Sequence, residues 1–285
     1  MAITQNTLTG AAATGNATSF ITASISPGAN RLILAFVFGF RTITADATPT
    51  LSGNGLTWVN ADHRGLGCSN ENSTIFRAMG ASPSAGAVTI DYGANTHDAC
   101  VWSIMEFDGV DTSGTNGSGA VVQIVAGNAA TCADTAVTAT LAAFGSVDNA
   151  TYFACRWYDQ TAPGQLTAAS PNAGFTEIHD ILTRTDAAAD NMLLHTAWRA
   201  DNSITCTSTI AAGSAAGYIR GVEIKAAGAV GEPTVPMRGL LGVGTFLWGM
   251  QRWRERCGPN CPQCRKAQID DAAQRRGPRR GRWAA

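Results

Sequence analysis

The chain has 285 residues, 45% of them hydrophobic and only 14% charged, with a formal net charge of −1. Globular proteins usually carry about a quarter charged residues, so small neutral groups must cover much of this surface. Such a surface is unusual for cytosolic enzymes, which carry more lysine and glutamate, and common in extracellular and particle-forming β-proteins.

The first residues are small and polar, without the basic start and continuous apolar stretch of a secretory signal. We expect residues 1–17 to form an N-terminal arm. We also expect the protein to stay where it is made, or to leave inside a virus particle released by lysis.

Residues 30–41 are a near-continuous apolar run that predicts a central strand buried on both faces. Shorter strands bounded by turn residues are predicted at 55–61, 73–80, 86–93, 99–110, 120–127, 136–144, 149–158, 175–184, 191–200, 203–210 and 217–227. No helical periodicity intervenes. The pattern predicts an all-β, antiparallel two-sheet sandwich of the jelly-roll type over residues 18–228.

Two turns are predicted beside these strands. Residues 26–30 read SPGAN, and the Pro-Gly pair presets a turn before the central strand. Asn54 and Gly55 form the strongest short hairpin signal, because both residues accept a positive φ at low cost.

The strand that ends near residue 108 leaves two carboxylates, Asp108 and Asp111, on either side of Gly109. Together with neighbouring hydroxyl oxygens they are a candidate Ca²⁺ site. The other interpretation is a pair of Asx turns that cap the strand, and the sparse acidic spacing favours it.

Alternation along residues 192–199 separates a core face from a polar face. Met192, Leu194 and Trp198 fall on the predicted core face, whereas His195 falls on the other. His179 also falls on a polar face of its strand, so both histidines are expected to be solvated.

A family resemblance is carried by six segments in order: SISPGANRLILAFVFGF, PTLSGNGLTWV, STIFRAM, GAVTIDYG, SIMEFDGVDTSG and GYIRGVEIKAA. They resemble a β-sandwich family of bacteriophage structural proteins and bacterial surface proteins, in which NRLL, GG-x-x-LT and F-x-GVD patterns recur. The resemblance spans residues 18–227 and implies a fold and a display role rather than a reaction. The chain departs from it by SGNGLTWV in place of a doubled glycine, and by its C-terminal tail.

Two kinds of side chain are candidates for a site on the sandwich. Trp157 and Tyr158 are adjacent just before a loop, so one ring should face outward and could stack on a surface glycan. Glu106, Asp108 and Glu177 are the least implausible catalytic acids. No nucleophile elbow, zinc-protease motif or phosphate loop is present, so we expect no enzyme activity.

Charge divides the chain into a body and a tail. Residues 1–230 carry nine basic and 17 acidic side chains, whereas residues 231–285 carry 11 basic and four acidic ones. The net charges are −8 and +7, so an acidic protein face is a natural partner for the tail. Residues 229–285 are expected to form a basic tail with a short helix at 239–250, too short to span a membrane, for which about 20 apolar residues are needed.

The cysteines follow the same division. Cys257, Cys261 and Cys264 in the tail have the C-x3-C-x2-C spacing that resembles the cluster loop of radical-SAM enzymes. They could remain unligated or cross-linked, hold Zn²⁺ with a fourth ligand from elsewhere, or hold an iron-sulfur cluster. In the body, five scattered cysteines are expected to be reduced core residues, with Cys132 the best candidate for an intermolecular bridge.

These observations favour a non-enzymatic structural or display protein, with a bacteriophage virion component such as a decoration, fibre or tail protein as the leading version. Its partners would be other subunits, including copies of itself, and its location the virion. No specific nucleic acid and no required cofactor are expected. The alternatives are a bacterial cell-surface adhesin or carbohydrate-binding module, and an enzyme with a metal-bearing tail.

Overall fold

The computed structural model describes residues 2–41, 47–65, 71–128, 134–159, 166–184, 191–211 and 215–228. Every regular element in these ranges is a β-strand, and the strands pair in antiparallel sheets. The predicted all-β antiparallel sandwich is therefore confirmed. None of the described residues forms a helix long and apolar enough to cross a membrane. The tail at 229–285, with its expected short helix, lies outside the described residues.

The first half of the body contains eight strands. They are β1 (Thr4–Ala17), β2 (Ser19–Ile21), β3 (Leu32–Phe40), β4 (Thr50–Ser52), β5 (Val59–Arg64), β6 (Glu71–Ala78), β7 (Thr89–Asp91) and β8 (His97–Asp108). Five of them form a sheet in the order β1-β8-β3-β6-β5, and three form a sheet in the order β2-β7-β4. Pairing of the first strand with the last, and of the second with the seventh, is the strand order of a jelly roll.

The second half repeats this arrangement. Its strands are β9 (Val121–Asn128), β10 (Ala136–Thr140), β11 (Ala150–Asp159), β12 (Ala169–Pro171), β13 (Thr176–Arg184), β14 (Asn191–Arg199), β15 (Thr205–Ile210) and β16 (Ala216–Ile224). Their sheets have the strand orders β9-β16-β11-β14-β13 and β10-β15-β12. These are the orders of the first half with eight added to each strand number. The body thus consists of two successive jelly rolls, a repetition that the sequence pattern does not reveal.

Matching irregularities support this repetition. The fifth strand of the first jelly roll bulges between Asn60 and Asp62 where it pairs with β6. The fifth strand of the second bulges between Glu177 and His179 where it pairs with β14. A β-bulge is a specific local feature, so its recurrence at the same step of the same strand pair makes Asp62 and His179 equivalent positions.

Three apolar cores hold the layers together. One lies between the sheets of the first jelly roll, a second between the sheets of the second, and a third between the two five-stranded sheets. Each five-stranded sheet is therefore covered on both faces, which explains why all nine residues of β3 are buried. The doubly buried central strand predicted at 30–41 is confirmed.

The interface between the two jelly rolls has approximate twofold symmetry. Ser103 on β8 is hydrogen-bonded to His179 Nδ1 at 2.7 Å, and Arg220 on β16 donates from Nε to Asp62. Ser103 and Arg220 each precede the buried glutamate of their strand by three residues, and His179 and Asp62 are equivalent bulge positions. The two contacts are therefore related by the approximate twofold axis, as in the isologous interface of a symmetric dimer.

The segment expected to form an N-terminal arm lies within the sheet. Residues 4–17 are β1, which pairs with β8 from Thr4 opposite Asp108 to Ala17 opposite His97. Gly10 lets β1 pack closely on β13 of the other five-stranded sheet, because a Cβ there would meet the ring of His179.

Candidate functional site

Glu106, one of the candidate acids, is a buried structural residue. Its side chain is 3% exposed and accepts hydrogen bonds from Asn6 Nδ2 at 3.0 Å, the Gly28 amide at 2.7 Å and Arg31 Nη1 at 2.6 Å. It therefore ties β8 to β1 and to the turn before β3. The same pattern recurs at Glu223, which accepts from Gln123 Nε2 and Asn149 Nδ2, both at 2.6 Å.

Asp108 and Asp111 make separate hydrogen bonds to backbone amides. Asp108 Oδ1 accepts from the Gly109 amide at 2.7 Å, and Asp111 Oδ1 accepts from the Ser113 amide at 2.8 Å. Asp111 also pairs with Lys225 at 2.7 Å, and this contact and the Ser113 bonds lower its pKa to about 2. Among the described residues no group of three or more histidine, cysteine, aspartate or glutamate side chains could hold a metal ion. Asp111 forms the expected Asx turn, because its carboxylate accepts from the amide two residues on. Asp108 accepts from the adjacent Gly109 amide, which is not an Asx turn.

Neither ring of the predicted glycan platform faces outward. Trp157 is fully buried in the core of the second jelly roll, and Tyr158, on the opposite face of β11, is 2% exposed between the two five-stranded sheets. The expectation that one of them is exposed was wrong because β11 is the central strand of a sheet covered on both faces. No stacking on sugar by these two rings is proposed.

The two histidines expected to be solvated are packed inside the fold. His195 is fully buried, and its Nδ1 lies 2.8 Å from Ser208 Oγ, which also accepts a 2.9 Å bond from the Trp157 indole. His179 is half-buried against Gly10 and Ser103. The expectation was wrong for the same reason, since the face opposite the predicted core packs on a further sheet. Burial lowers the pKa of both histidines, that of His195 to about 4.

Ser208, His195 and Glu177 form a chain with the composition of a hydrolytic relay. Glu177 Oε2 lies 3.5 Å from His195 Nε2. In a serine hydrolase the hydroxyl must be accessible to substrate beside an oxyanion hole. Ser208 is fully buried and holds the Trp157 indole instead. These contacts therefore link β11, β14 and β15 within the core of the second jelly roll and end at the partly exposed Glu177 on β13.

An open groove of about 370 Å³ lies where the edge strands β5 and β9 of the two jelly rolls meet. Its lining includes Asn60, Asp62, Arg77, Val122 and Gln123. Val122 is 50% exposed there. The groove thus combines an exposed apolar side chain with polar groups. Its position cannot be inferred from the sequence, because the two strands are far apart in the chain.

The described cysteines behave as core residues. Cys100, Cys155 and Cys206 are free and buried, and burial raises the pKa of each thiol to about 12. They are therefore protonated and inert at neutral pH. Cys68, Cys132 and the predicted metal ligands Cys257, Cys261 and Cys264 lie outside the described residues.

Comparison with protein-family models, with curated proteins and with solved structures found no match to this chain.

Proposed function

We propose that the protein is a non-enzymatic structural subunit of a larger assembly, with a bacteriophage virion component such as a decoration, fibre or tail protein as its leading form. The carrying observation is the charge division within one chain. A compact body of net charge −8 continues into a tail of net charge +7. Copies with this division can bind tail to body, because opposite charges on separate parts of the chain attract between molecules.

The outer face of the second jelly roll suits close packing of such copies. Alternate residues of β10 and β15 point away from the core, and they are Ala136, Thr138, Thr140, Thr205, Thr207 and Thr209. The face carries no charge, and the Thr138 and Thr207 hydroxyls are 2.9 Å apart. Acidic bodies can approach one another through this face with little like-charge repulsion.

Sedimentation velocity of the full chain tests the proposal. In the test variant Arg275, Arg276, Arg279 and Arg280 become glutamine, and in the matched control the same four residues become lysine. We expect the wild type and the lysine variant to form oligomers at low salt that dissociate near about 0.5 M salt, where the Debye length is only a few ångströms. The glutamine variant should assemble much more weakly. A wild type that stays monomeric, or a glutamine variant that assembles as well as the wild type, contradicts the proposal.

A further inference from the structure

The first strand, β1, is an edge strand whose backbone is open on one side. It pairs with β8 along Thr4–Ala17 and ends the five-stranded sheet of the first jelly roll. No other strand or loop among the described residues forms a backbone hydrogen bond with residues 9–14. Every second residue of this segment therefore directs an unpaired N–H and C=O away from the sheet.

The two faces of this segment are covered, so its exposure lies at the backbone edge. Ala11 and Ala13 pack on the core of the first jelly roll, and Ala12 packs on the core between the two five-stranded sheets. Residues 9–13 are nevertheless only half-buried. Because both faces have neighbours, the exposure that remains is that of the open edge.

Two bulges set the limits of the regular part of β1. The register with β8 shifts between Thr7 and Thr9 and again between Thr14 and Ala17. Bulges twist a strand and interrupt its pairing, so residues 9–14 are the part of β1 that can accept a further strand. An antiparallel partner of the same length would form roughly six backbone hydrogen bonds with it.

Two other edges of the five-stranded sheets are protected by charge. The edge strand β5 carries Asp62 and Arg64, and the edge strand β13 carries Glu177 and Asp180. Charged side chains on an edge strand are one of the means by which proteins prevent edge-to-edge pairing. These two edges therefore disfavour the addition of a strand.

The fourth edge strand, β9, is uncharged but has a neighbour. The backbone of β10 lies against it, because a Cβ on Gly127 would meet the Thr138 carbonyl. In contrast, β1 has no charged residue in its 14 positions and no such neighbour at its edge among the described residues. In a body of net charge −8, two copies repel each other least where neither presents a charge.

We propose that β1 of one copy pairs antiparallel with β1 of a second copy over residues 9–14, which joins their two five-stranded sheets into one. The pairing is isologous, because a twofold axis brings each outward N–H opposite an outward C=O, and it closes at two copies. The choice of a second copy as the partner rests on the proposed function, in which copies assemble. The open edge itself does not depend on the tail.

Sedimentation velocity of the full chain in about 0.5 M salt tests the pairing, because this salt screens the contacts between tail and body. We expect the tail-dependent oligomers to dissociate into dimers, since backbone hydrogen bonds between uncharged strands are screened little. A monomer at every protein concentration, or growth beyond two copies, overturns the proposal. Dimers without larger oligomers at low salt would refute tail docking alone, whereas tail-dependent oligomers without the dimer would refute the β1 pairing alone.

Proline substitutions test which edge is used. Adjacent strand residues direct their N–H groups to opposite edges, so one of Ala11→Pro and Ala12→Pro loses a bond to β8 and the other loses an outward donor. The outward variant is the one with the higher Tm. We expect its dimer dissociation constant to be at least about tenfold larger than that of the wild type, because two bonds are lost per dimer. An unchanged dissociation constant contradicts the proposal.

Hydrogen exchange of the wild type at the same salt locates the interface without any substitution. The outward amides of residues 9–14 should exchange more slowly at protein concentrations above the dissociation constant than below it. A dimer in which these amides exchange equally at both concentrations overturns the proposal, because its interface would lie elsewhere.

Discussion

Glu106 and Glu223 occupy matched places in the two jelly rolls and perform the same task with different partners. Each lies on the last strand of its jelly roll and accepts from an amide side chain on the first strand, Asn6 or Gln123. Of the two glutamates, Glu106 also forms an ion pair with a guanidinium, that of Arg31. The comparison separates the contribution of the hydrogen bonds from that of the added charge.

Substitution of these glutamates by glutamine should destabilise the fold unequally. We expect Glu106→Gln to cost about 2–4 kcal/mol, because a buried charge-assisted network loses one of its two acceptor oxygens and its negative charge. Glu223→Gln should cost about 1–2 kcal/mol, since its described donors are neutral amides. Urea unfolding measures both, with the exposed Asp148→Asn as a control expected to change stability by less than about 0.5 kcal/mol. Equal values for all three variants would refute the structural role.

His195 and Asp180 should give the stability opposite pH dependences. Burial lowers the pKa of His195 from 6.5 to about 4, so the unfolded chain takes up this proton first and stability falls as pH drops from 6.5 towards 4. Burial raises the pKa of Asp180 from 3.8 to about 6, so the folded state takes up that proton first and gains stability from pH 6 towards 3.8.

Paired variants separate the two groups. Between pH 7 and pH 4, we expect the free energy of unfolding to fall by about 3 kcal/mol less in His195→Gln than in the wild type. In Asp180→Asn the free energy of unfolding should fall more steeply than in the wild type as pH drops from 6 to 4. Urea unfolding at several pH values measures the slopes, and variants whose slopes match that of the wild type would show that these groups do not control them.

Residue roles could be inferred from sequence only where local chemistry decides them. The Asx turn at Asp111 follows from a carboxylate two residues before a free amide, and the structure has this bond. The burial of Trp157 and His195 could not be inferred, because it depends on a second sheet packing on each face of the strand. Charged partners such as Arg220 and Asp62 are separated by 158 residues.

At the scale of elements, the Asn54 turn shows how a local signal becomes a tertiary contact. Asn54 and Gly55 have φ of 59° and 63°, so the predicted positive-φ turn is confirmed. The predicted hairpin is wrong, because the flanking strands do not pair with each other: β4 pairs with β7 and β5 with β6. The Asn54 side chain also donates to the carbonyls of Ser84 and Gly86, at 3.0 and 2.9 Å. Asn172 fills the equivalent turn before β13 and exchanges two bonds with Thr205 and Thr207.

Two substitutions at Asn54 distinguish these contributions. Asn54→Gly keeps the positive φ and loses both side-chain bonds, so we expect a loss of about 1–2 kcal/mol. Asn54→Ala adds the backbone strain of a left-handed conformation and should cost about 1 kcal/mol more. Chemical unfolding measures the difference. An alanine variant as stable as the glycine variant would mean that the conformation contributes nothing.

Most strands could be predicted because apolar and β-branched runs identify them directly. The predicted segments at 73–80, 99–110, 149–158 and 191–200 each coincide with a strand. The missed strands β1, β2, β4 and β12 lack such runs. Three of them have only three residues, and β1 is rich in alanine, glycine and threonine, so its strand conformation depends on pairing with β8.

At the scale of the whole molecule, the duplication is clear in topology and faint in sequence. Equivalent positions hold different residues, such as Asp62 and His179, or Ser103 and Arg220, because each contact needs only a compatible partner across the interface. Sequence periodicity reports strands and their faces, whereas strand order depends on pairings across the whole chain. The jelly-roll class was therefore predictable and the doubling was not.

Docking of the basic tail on a neighbouring acidic body is tested most directly by zero-length carbodiimide cross-linking of a mixture of ¹⁴N-labelled and ¹⁵N-labelled full chains. The chain has two lysines, Lys225 and Lys266, and only Lys266 lies in the tail. Lys225 is 2.7 Å from Asp111, so their link within one copy is an internal control. We predict mixed-isotope links from Lys266 to carboxylates of another body, absent in Lys266→Arg. A mixture that forms the Lys225 link but no mixed-isotope link from Lys266 contradicts the account.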